Sequence, residues 1–261
     1  MDNGSLAERI TTHYEEMFHN RETAHFDRIG FVNVGYWNGI NNNSMEMAQI
    51  NLIETLISFF HNTSGNVLDV ACGKGASSKF LTKYFDPQKI TGINISERQL
   101  ETCRVIAPEC NFRLMDAANL DFGNSTFDNA LCIEAAFYFL TRQKFFQEIQ
   151  RVLKPSGRLA MFDALFDHDF LESLGQTLCP RENHLPNLDA YRDSLSKAGF
   201  SYVRVDDCTD LTAHAACSYV TRMEEREFGR TQHPEALERI RKANLLYRSA
   251  CLSSFMVYAI K

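Results

Sequence analysis

The sequence ValLeuAspValAlaCysGlyLysGly, at residues 67–75, decides the fold. It begins as a short apolar run and ends in Gly73 and Gly75, which allow a tight turn and let a ligand approach the backbone. Apolar residues then recur at steps of three and four, so a helix beginning near Ala76 would present its unpaired amides beside the turn. Strand, glycine turn and helix in this order are typical of the first unit of a parallel α/β sheet.

The pattern continues through residues 66–163, where short apolar runs alternate with longer amphipathic stretches. The runs predict five strands, at 66–71, 89–95, 111–115, 127–133 and 157–163. The stretches predict helices at 75–85, 96–107 and 141–153, the last one stopped by a LysProSerGly turn at 154–157. Farther along, the pattern predicts a helix at 188–199 and strands at 200–208 and 251–260. We therefore predict an α/β fold built on a seven-stranded sheet.

Two segments fall outside this sheet. Residues 1–62 precede the first strand, and residues 212–249 form a helix-rich insertion before the last strand. We interpret both as helical caps over the carboxyl edge of the sheet, around an α/β core made of residues 63–211 and 250–261. The alternative is that they are surface helices packed on the flanks of the sheet.

The composition excludes several classes of partner. The 27 basic against 33 acidic residues give a net charge of 27 − 33 = −6, which argues against nucleic acid or an anionic membrane. The eight cysteines form no CxxC pair and no cluster at metal-ligand spacing, so we expect buried thiols and no metal site. No stretch is long and apolar enough for a membrane span, and the amino terminus lacks the order of a signal peptide. We expect a cytoplasmic monomer or homodimer.

The ligand crevice of an open α/β sheet lies beyond the carboxyl ends of its strands. A dinucleotide-binding fingerprint would need a third glycine after Gly75, and Ser78 occupies that place. An NAD(P)-dependent oxidoreductase is therefore kept only as an alternative.

The motif VLDVACGKG resembles the first motif of class I S-adenosylmethionine-dependent methyltransferases, with Asp69 as the acidic residue before the loop. The resemblance implies a Rossmann-like methyltransferase fold with S-adenosylmethionine as cofactor, whose methionine part lies across Gly73 and Gly75. One alternative is that the glycines only form a turn. Another is that Asp69 only caps the loop, by accepting hydrogen bonds from the loop's backbone amides.

The second strand ends in GlyIleAsnIleSer at 92–96, which is similar to the variant found in tocopherol and natural-product methyltransferases. In the family this strand end contacts the cofactor ribose, so the resemblance implies cofactor contacts from Asn94, Ile95 and Gln99. Many members carry an acidic residue where this chain has Asn94, whose amide can both donate and accept a hydrogen bond.

Two further strand ends match cofactor positions of the family. Asp116 and Ala117 stand where the family's Asp accepts from the adenine amino group, and Glu134 matches the next position that lines the cofactor. Asn94 and Asp116 could alternatively be ordinary turn residues.

Upstream, PheValAsnValGlyTyrTrp at 31–37 resembles the GYW segment of small-molecule methyltransferases, in which Tyr36 and its neighbours close over the cofactor. HisTyrGluGlu at 13–16 resembles their first-helix tyrosine motif and makes Tyr14 a second lid candidate. The alternative is that Tyr36 and Trp37 are core aromatics.

Methyl transfer to an alcohol or a carbon acid needs a proton acceptor, whereas a neutral amine needs none. Related enzymes often carry histidine where this chain has Tyr138, so we expect Tyr138 to orient the acceptor or to be structural. Asp163, at the end of the fifth strand, could act as base, bind a cationic acceptor or cap the following turn. Loop histidines that could face the pocket are His168, His184 and His214.

With 20 Phe and 9 Tyr, the chain can line a large apolar pocket as well as a core. We therefore expect a methyltransferase acting on a small, largely apolar specialised metabolite. Oxygen is the expected acceptor atom, with nitrogen or carbon as alternatives. A non-catalytic protein that binds S-adenosylmethionine is the alternative from another class.

Overall fold

The computed structural model describes residues 8–12, 33–39, 44–173, 179–227, 245 and 248–261, without the side chains of 224–227. Tyr14, the second lid candidate, lies outside these residues. Within the described ranges, no helix has the length and the apolar run that crossing a bilayer requires.

The described residues form one seven-stranded sheet, as predicted. Its strands are β1 (Val67–Val70), β2 (Ile90–Asn94), β3 (Asn111–Leu114), β4 (Phe127–Ile133), β5 (Leu153–Phe166), β6 (Tyr202–Asp207) and β7 (Cys251–Ile260). The order across the sheet is β3-β2-β1-β4-β5-β7-β6. Strands β1 to β5 are parallel, and β7 runs antiparallel to both β5 and β6. The order reverses between β1 and β4, which is where ligand crevices form in sheets of this kind.

Residues 8–12, 245 and 248–250 are helical. The remaining α-helices of the described residues are α1 (Met45–Ile57), α2 (Ala76–Leu81), α3 (Glu97–Ile106), α4 (Arg142–Val152), α5 (His168–Ser173), α6 (Leu188–Lys197) and α7 (Ala213–Glu227). Four of them begin at a side chain that accepts a hydrogen bond from an amide of the first turn: Ser44, Ser96, Thr141 and Asn187. These residue types are the usual N-caps, which explains why the helix starts are local in sequence.

Strand β5 begins earlier than the sequence predicted. Leu153 already pairs with Phe127, and the ladder then shifts so that Arg158 pairs with Asn129. The residues between loop out in a tight turn, where Ser156 has a φ of 62°. The predicted turn at 154–157 is thus an irregularity inside a longer strand.

Helices cover both faces of the sheet. Helices α4 and α6 bury Phe145, Phe146 and Tyr191 against one face. Helices α1 and α2 bury Leu52 and Phe80, among others, against the opposite face. Helix α1 therefore packs on a flank of the sheet, which is the arrangement that we considered as the alternative for the segment 1–62.

A buried ion pair ties the first of these faces together. The guanidinium of Arg142, at the start of α4, donates from Nε to Asp163 Oδ2 of β5 over 2.8 Å, and the two side chains are 4% and 0% exposed. Tyr191 of α6 donates its hydroxyl to the same oxygen over 2.8 Å. Arg142 also donates to the carbonyl oxygens of Ala164 and Asn183. Two charges can be buried here because their hydrogen bonds are made inside the protein.

Replacing Asp163 by Ala should lower the free energy of unfolding by about 3–5 kcal/mol, because the guanidinium of Arg142 would stay buried without its counter-charge. Urea unfolding of wild type and variant measures the difference. The control is Arg104→Ala, which breaks the exposed ion pair with Glu97 and should cost less than about 1 kcal/mol. Equal losses in the two variants would contradict this account of the pair.

Candidate functional site

The glycine turn after β1 is built from left-handed backbone. Ala71, Gly73 and Gly75 have φ values of 55°, 55° and 91°. A Cβ on Gly75 would lie 2.9 Å from Cys103 Cα, so close packing against α3 requires glycine there. A Cβ on Gly73 would meet no atom within 4 Å, so this residue faces open space. Gly73 is therefore the point at which a ligand can approach the backbone, and Gly75 is the point that holds the turn.

Asp69 joins β1 to the first turn of α2. Its Oδ2 accepts hydrogen bonds from the hydroxyls of Ser77 and Ser78, each over 2.6 Å. Burial raises the pKa of Asp69 to about 6, while the two hydroxyls act in the opposite direction. The alternative was that Asp69 caps the loop by accepting from backbone amides. The structure shows instead that its partners are the side chains of Ser77 and Ser78. Sequence reasoning noted Ser78 only as a missing glycine and missed its bond to Asp69.

Asn94 connects three parts of the same edge. Its amide group donates to Gly73 O over 3.2 Å and to Gln99 Oε1 over 2.7 Å, and its Oδ1 accepts from the amide of Ser96 over 3.1 Å. Cys103 Sγ also donates to Gly73 O, over 3.2 Å. The side chains of Asn94 and Cys103 therefore fix the carbonyl of Gly73. They hold the glycine turn in its open conformation.

The other predicted cofactor residues near β2 and β3 differ in exposure. Ile95 is half-buried, directly after β2. Asp116 is exposed beyond β3, and its Oδ1 accepts from the amide of Ala118 over 2.8 Å, as in an Asx turn. Ala117 beside it is 5% exposed. The carboxyl ends of β1, β2 and β3 thus bring Gly73, Asn94 and Asp116 to one edge of the sheet.

Glu134 follows β4 at that same edge, with a left-handed φ of 53°. Its Oε2 accepts a hydrogen bond from the amide of Val34 over 2.9 Å. Residues 33–39, which include the predicted lid residue Tyr36, are therefore attached to the end of β4. The bond joins residues 100 positions apart, and no sequence pattern announces it.

Trp37 extends this connection to α7. Its indole donates to Val34 O over 2.9 Å, and its ring centroid lies 5.0 Å from that of Tyr219. Met45, Ala216 and Val220 complete a small apolar cluster around it. Trp37 therefore joins the amino-terminal segment to α7, and Tyr36 packs beside α1 with its amide bonded to Ala48 O.

A separate apolar cluster lies at the carboxyl ends of β4 and β5. Its buried members are Phe137, Ala164, Phe166, Ala213, Ala250 and Cys251. Tyr138 packs against it, with its ring centroid 4.3 Å from that of Phe137. The start of β7 contributes because that strand is antiparallel, so its first residue lies where the parallel strands end. This cluster gives the edge that carries the glycine turn an apolar, aromatic part at β4 and β5.

The roles considered for Asp163 need a correction. We expected a base, a group for a cationic acceptor or a turn cap, but the carboxylate is fully buried. Its oxygens accept from Arg142, Tyr191 and the amide of Ala164. Because these partners surround the carboxylate and none of it is exposed, a substrate cannot reach it, so we no longer assign Asp163 to the reaction.

His168 keeps its candidacy for a part in the reaction. It begins α5 just after β5, and its ring centroid lies 4.9 Å from that of the exposed His184. Burial lowers the pKa of His168 below 6.5, and the nearby His184 lowers it further. The ring is therefore neutral at pH 7 and able to accept a proton. His214 pairs instead with Asp210 over 2.8 Å. Across the described ranges, no three His, Cys, Asp or Glu side chains converge as metal ligands.

Comparison with known proteins gives concordant matches. A family model described as a methyltransferase domain matches residues 68–161. The O-methyltransferase cnsE of Penicillium expansum is 31% identical over 190 residues, which cover 68% of this chain and 68% of that protein. An O-methyltransferase of Pyrenophora dematioidea is 28% identical over 231 residues, which cover 80% of this chain and 82% of that protein.

Solved structures share the fold. Phosphoethanolamine N-methyltransferase 2 of Haemonchus contortus was solved in complex with phosphomonomethylethanolamine and S-adenosylhomocysteine. It matches with a TM-score of 0.72 at 18% identity, and the match covers 99% of this chain but 61% of that chain. The predicted Rossmann-like architecture is therefore confirmed.

Replacing Asp69 by Asn should remove a pH dependence of stability. The carboxyl titrates at about pH 6 in the folded protein and near 3.8 ordinarily, so between these values the folded state binds more protons than the unfolded state. Wild-type stability should therefore fall as the pH rises through this window, and the variant should lack this fall. Urea unfolding between about pH 4 and about pH 7 measures both curves.

The control is Asp128→Asn, for which the slope has the opposite sign. Burial raises the pKa of Asp128, but bonds from Lys154 and Asn66 outweigh it and hold the pKa below 3.8. The stability that Asp128 contributes should therefore be lost as the pH falls below about 4. A difference between wild type and Asp69→Asn that does not vary with pH would contradict the raised pKa of Asp69.

Proposed function

Because the chain belongs to the class I S-adenosylmethionine-dependent methyltransferases, we propose that it methylates an oxygen atom of a small, largely apolar specialised metabolite. Its cofactor is S-adenosylmethionine. The observation that carries the proposal is the apolar cluster around Phe137 and Phe166, which lies at the same end of the sheet as the open glycine turn at Gly73. The two fungal relatives support oxygen as the acceptor atom, since both are named O-methyltransferases.

The described residues fit the cofactor. Open space at Gly73 would accept its methionine part, the end of β2 near Ile95 its ribose, and the exposed Asp116 its adenine amino group. Bound there, S-adenosylmethionine supplies a sulfonium methyl group as the electrophile. The chain's own task is then to orient an acceptor and to exclude water from it.

The acceptor's proton needs a destination when the acceptor is a hydroxyl group. His168 suits this task because its ring is neutral at pH 7 and half-buried at the end of β5. The hydroxyl proton would pass to a ring nitrogen of His168 as the oxygen takes the methyl group. Tyr138, packed on Phe137 at the same edge, would orient the acceptor.

The alternatives make different demands on the site. An oxidoreductase would need the third glycine of a dinucleotide loop, and Ser78 is instead buried and bonded to Asp69. A protein that binds S-adenosylmethionine without turnover would keep the glycine turn but methylate nothing.

The cysteines are all free thiols, which supports the cytoplasm as the proposed location. The proposed assembly is a monomer or homodimer.

S-adenosylhomocysteine should raise the unfolding temperature of the wild type, whereas NAD and NADP should not. A ligand at 100 times its dissociation constant adds about 2.7 kcal/mol to the stability of the native state.

Gly73→Arg should weaken the binding of S-adenosylhomocysteine at least about tenfold, because the new side chain would fill the open space at the turn. Gly123→Ala is the control, since its Cβ would meet only Thr126 Oγ1 at 3.7 Å. Unchanged affinity in Gly73→Arg would show that the cofactor lies elsewhere.

The acceptor class is tested by methyl transfer from S-adenosylmethionine to a panel, followed by mass spectrometry. Hydrophobic phenols and polyketide-like alcohols should be methylated faster than amines of similar size and faster than polar metabolites. Preferred methylation of amines would contradict oxygen as the acceptor atom, and preferred methylation of polar metabolites would contradict an apolar acceptor. Binding of S-adenosylhomocysteine with no turnover on any member would favour the non-catalytic alternative.

With a phenol from this panel, His168→Gln should lower kcat by about 10²-fold, since a general base contributes that much or more. Wild-type activity should fall as the pH drops through the lowered pKa of His168, and this fall should be absent in the variant. His214→Gln is the matched control, because His214 pairs with Asp210. A His168→Gln enzyme with wild-type kcat and pH profile would exclude His168 as the base.

A further inference from the structure

Residues 33–39, which we call the strap, are fixed along the first turns of α1. The amide of Tyr36 donates to Ala48 O over 2.8 Å, and Gln49 Nε2 donates to Asn33 O over 2.9 Å. A Cβ on Gly35 would lie 2.6 Å from Ala48 Cβ, so the strap and α1 are in backbone contact. This side of the strap is thus held by hydrogen bonds and by close packing.

The strap is also held at its far end. The amide of Trp37 donates to Leu211 O over 2.8 Å, and the indole ring packs on Tyr219 of α7. Asn51 Nδ2 donates to Tyr36 O over 2.8 Å. Between the attachments at Asn33 and Tyr36 lies Val34, the residue of the strap that bonds to the sheet.

At the sheet, the strap meets Glu134. The amide of Val34 donates to Glu134 Oε2 over 2.9 Å. Glu134 takes up a left-handed φ of 53°, and Ala71 after the neighbouring strand β1 has one of 55°. Non-glycine residues rarely adopt this conformation, and it persists only where the surroundings enforce it. The glutamate that receives the strap therefore lies on backbone constrained at the same edge as the glycine turn.

We propose that Glu134 is a positioning residue, which holds the strap against the cofactor site by accepting the amide of Val34. This inference rests on the proposed cofactor site at Gly73. In this proposal the length of the Glu134 side chain matters more than its charge, because a carboxamide oxygen at the same position can also accept the bond from an amide N–H, although a carboxylate accepts it more strongly. The strap then acts as a fixed wall of the site.

Two conservative variants separate reach from charge. Glu134→Gln keeps the length of the side chain and an accepting oxygen but loses the charge, whereas Glu134→Asp keeps the charge and is one methylene too short. The affinities for S-adenosylmethionine and S-adenosylhomocysteine are measured by calorimetry, because only the first carries the sulfonium charge. Hydrogen exchange at the amide of Val34 reports the bond itself.

If Glu134 positions the strap, Glu134→Asp should weaken both ligands about tenfold and accelerate exchange at Val34, while Glu134→Gln stays within about threefold of wild type. The matched control is Glu148→Ala, which removes another glutamate that accepts a backbone amide, that of Leu120 over 2.8 Å. It should leave both affinities unchanged.

The opposite ranking would overturn the proposal. If Glu134→Gln weakened S-adenosylmethionine selectively and left exchange at Val34 slow, Glu134 would act through its charge on the cofactor. Wild-type affinities in Glu134→Asp would show that the strap does not shape the site. If the wild type itself bound neither ligand, the proposed cofactor site would be wrong as well, so the two failures are distinguishable.

Discussion

Two opposite charges removed from water impose the strongest constraint on this fold. Asp163 and Arg142 can be buried because they bond to each other and to further partners, which come from β5, α6 and the turn at Asn183. Asn183 also donates to the carbonyl of Ala136, over 2.8 Å. The turn that carries Tyr138 is thereby fixed to the ion pair, so the acceptor side of the proposed site depends on a group that no acceptor touches.

The cofactor side depends on a second buried carboxylate with a different solution. Asp69 has no cation beside it in the described residues and is held by two serine hydroxyls, which compensate its charge less completely, in keeping with its raised pKa. Around it, Asn94 and Cys103 hold the Gly73 carbonyl through their side chains. The edge is therefore rigid on the protein side of the glycine turn and open on the other, which suits a site that must admit a cofactor and release its product.

Patterns local in sequence predicted much of this architecture. Strands β4 and β7 have the predicted bounds, and the helix starts follow from their capping residues. The misplaced start of β5 and the role of Asp163 share one cause, because each is decided by a partner distant in sequence: Phe127 for the strand and Arg142 for the carboxylate. The group that binds Glu134 is the backbone amide of Val34. Almost every residue type has such an amide, so the sequence does not indicate which residue donates. Motif resemblance could therefore place Glu134 at the site, but the structure was needed to find what it holds.

The place of β7 in the sheet has a consequence for the order in which the protein is made. Strand β6 leaves the ribosome before β7, yet in the described residues its ladder partner is β7, which inserts between β5 and β6. Until β7 has been synthesised, β6 has no strand to pair with, and the far edge of β5 stays uncovered. The nascent chain thus carries the unpaired strand β6 and the uncovered edge of β5 through the synthesis of α7 and the residues after it. Unpaired strand edges promote association between chains. A chaperone would therefore protect the nascent chain most during this interval.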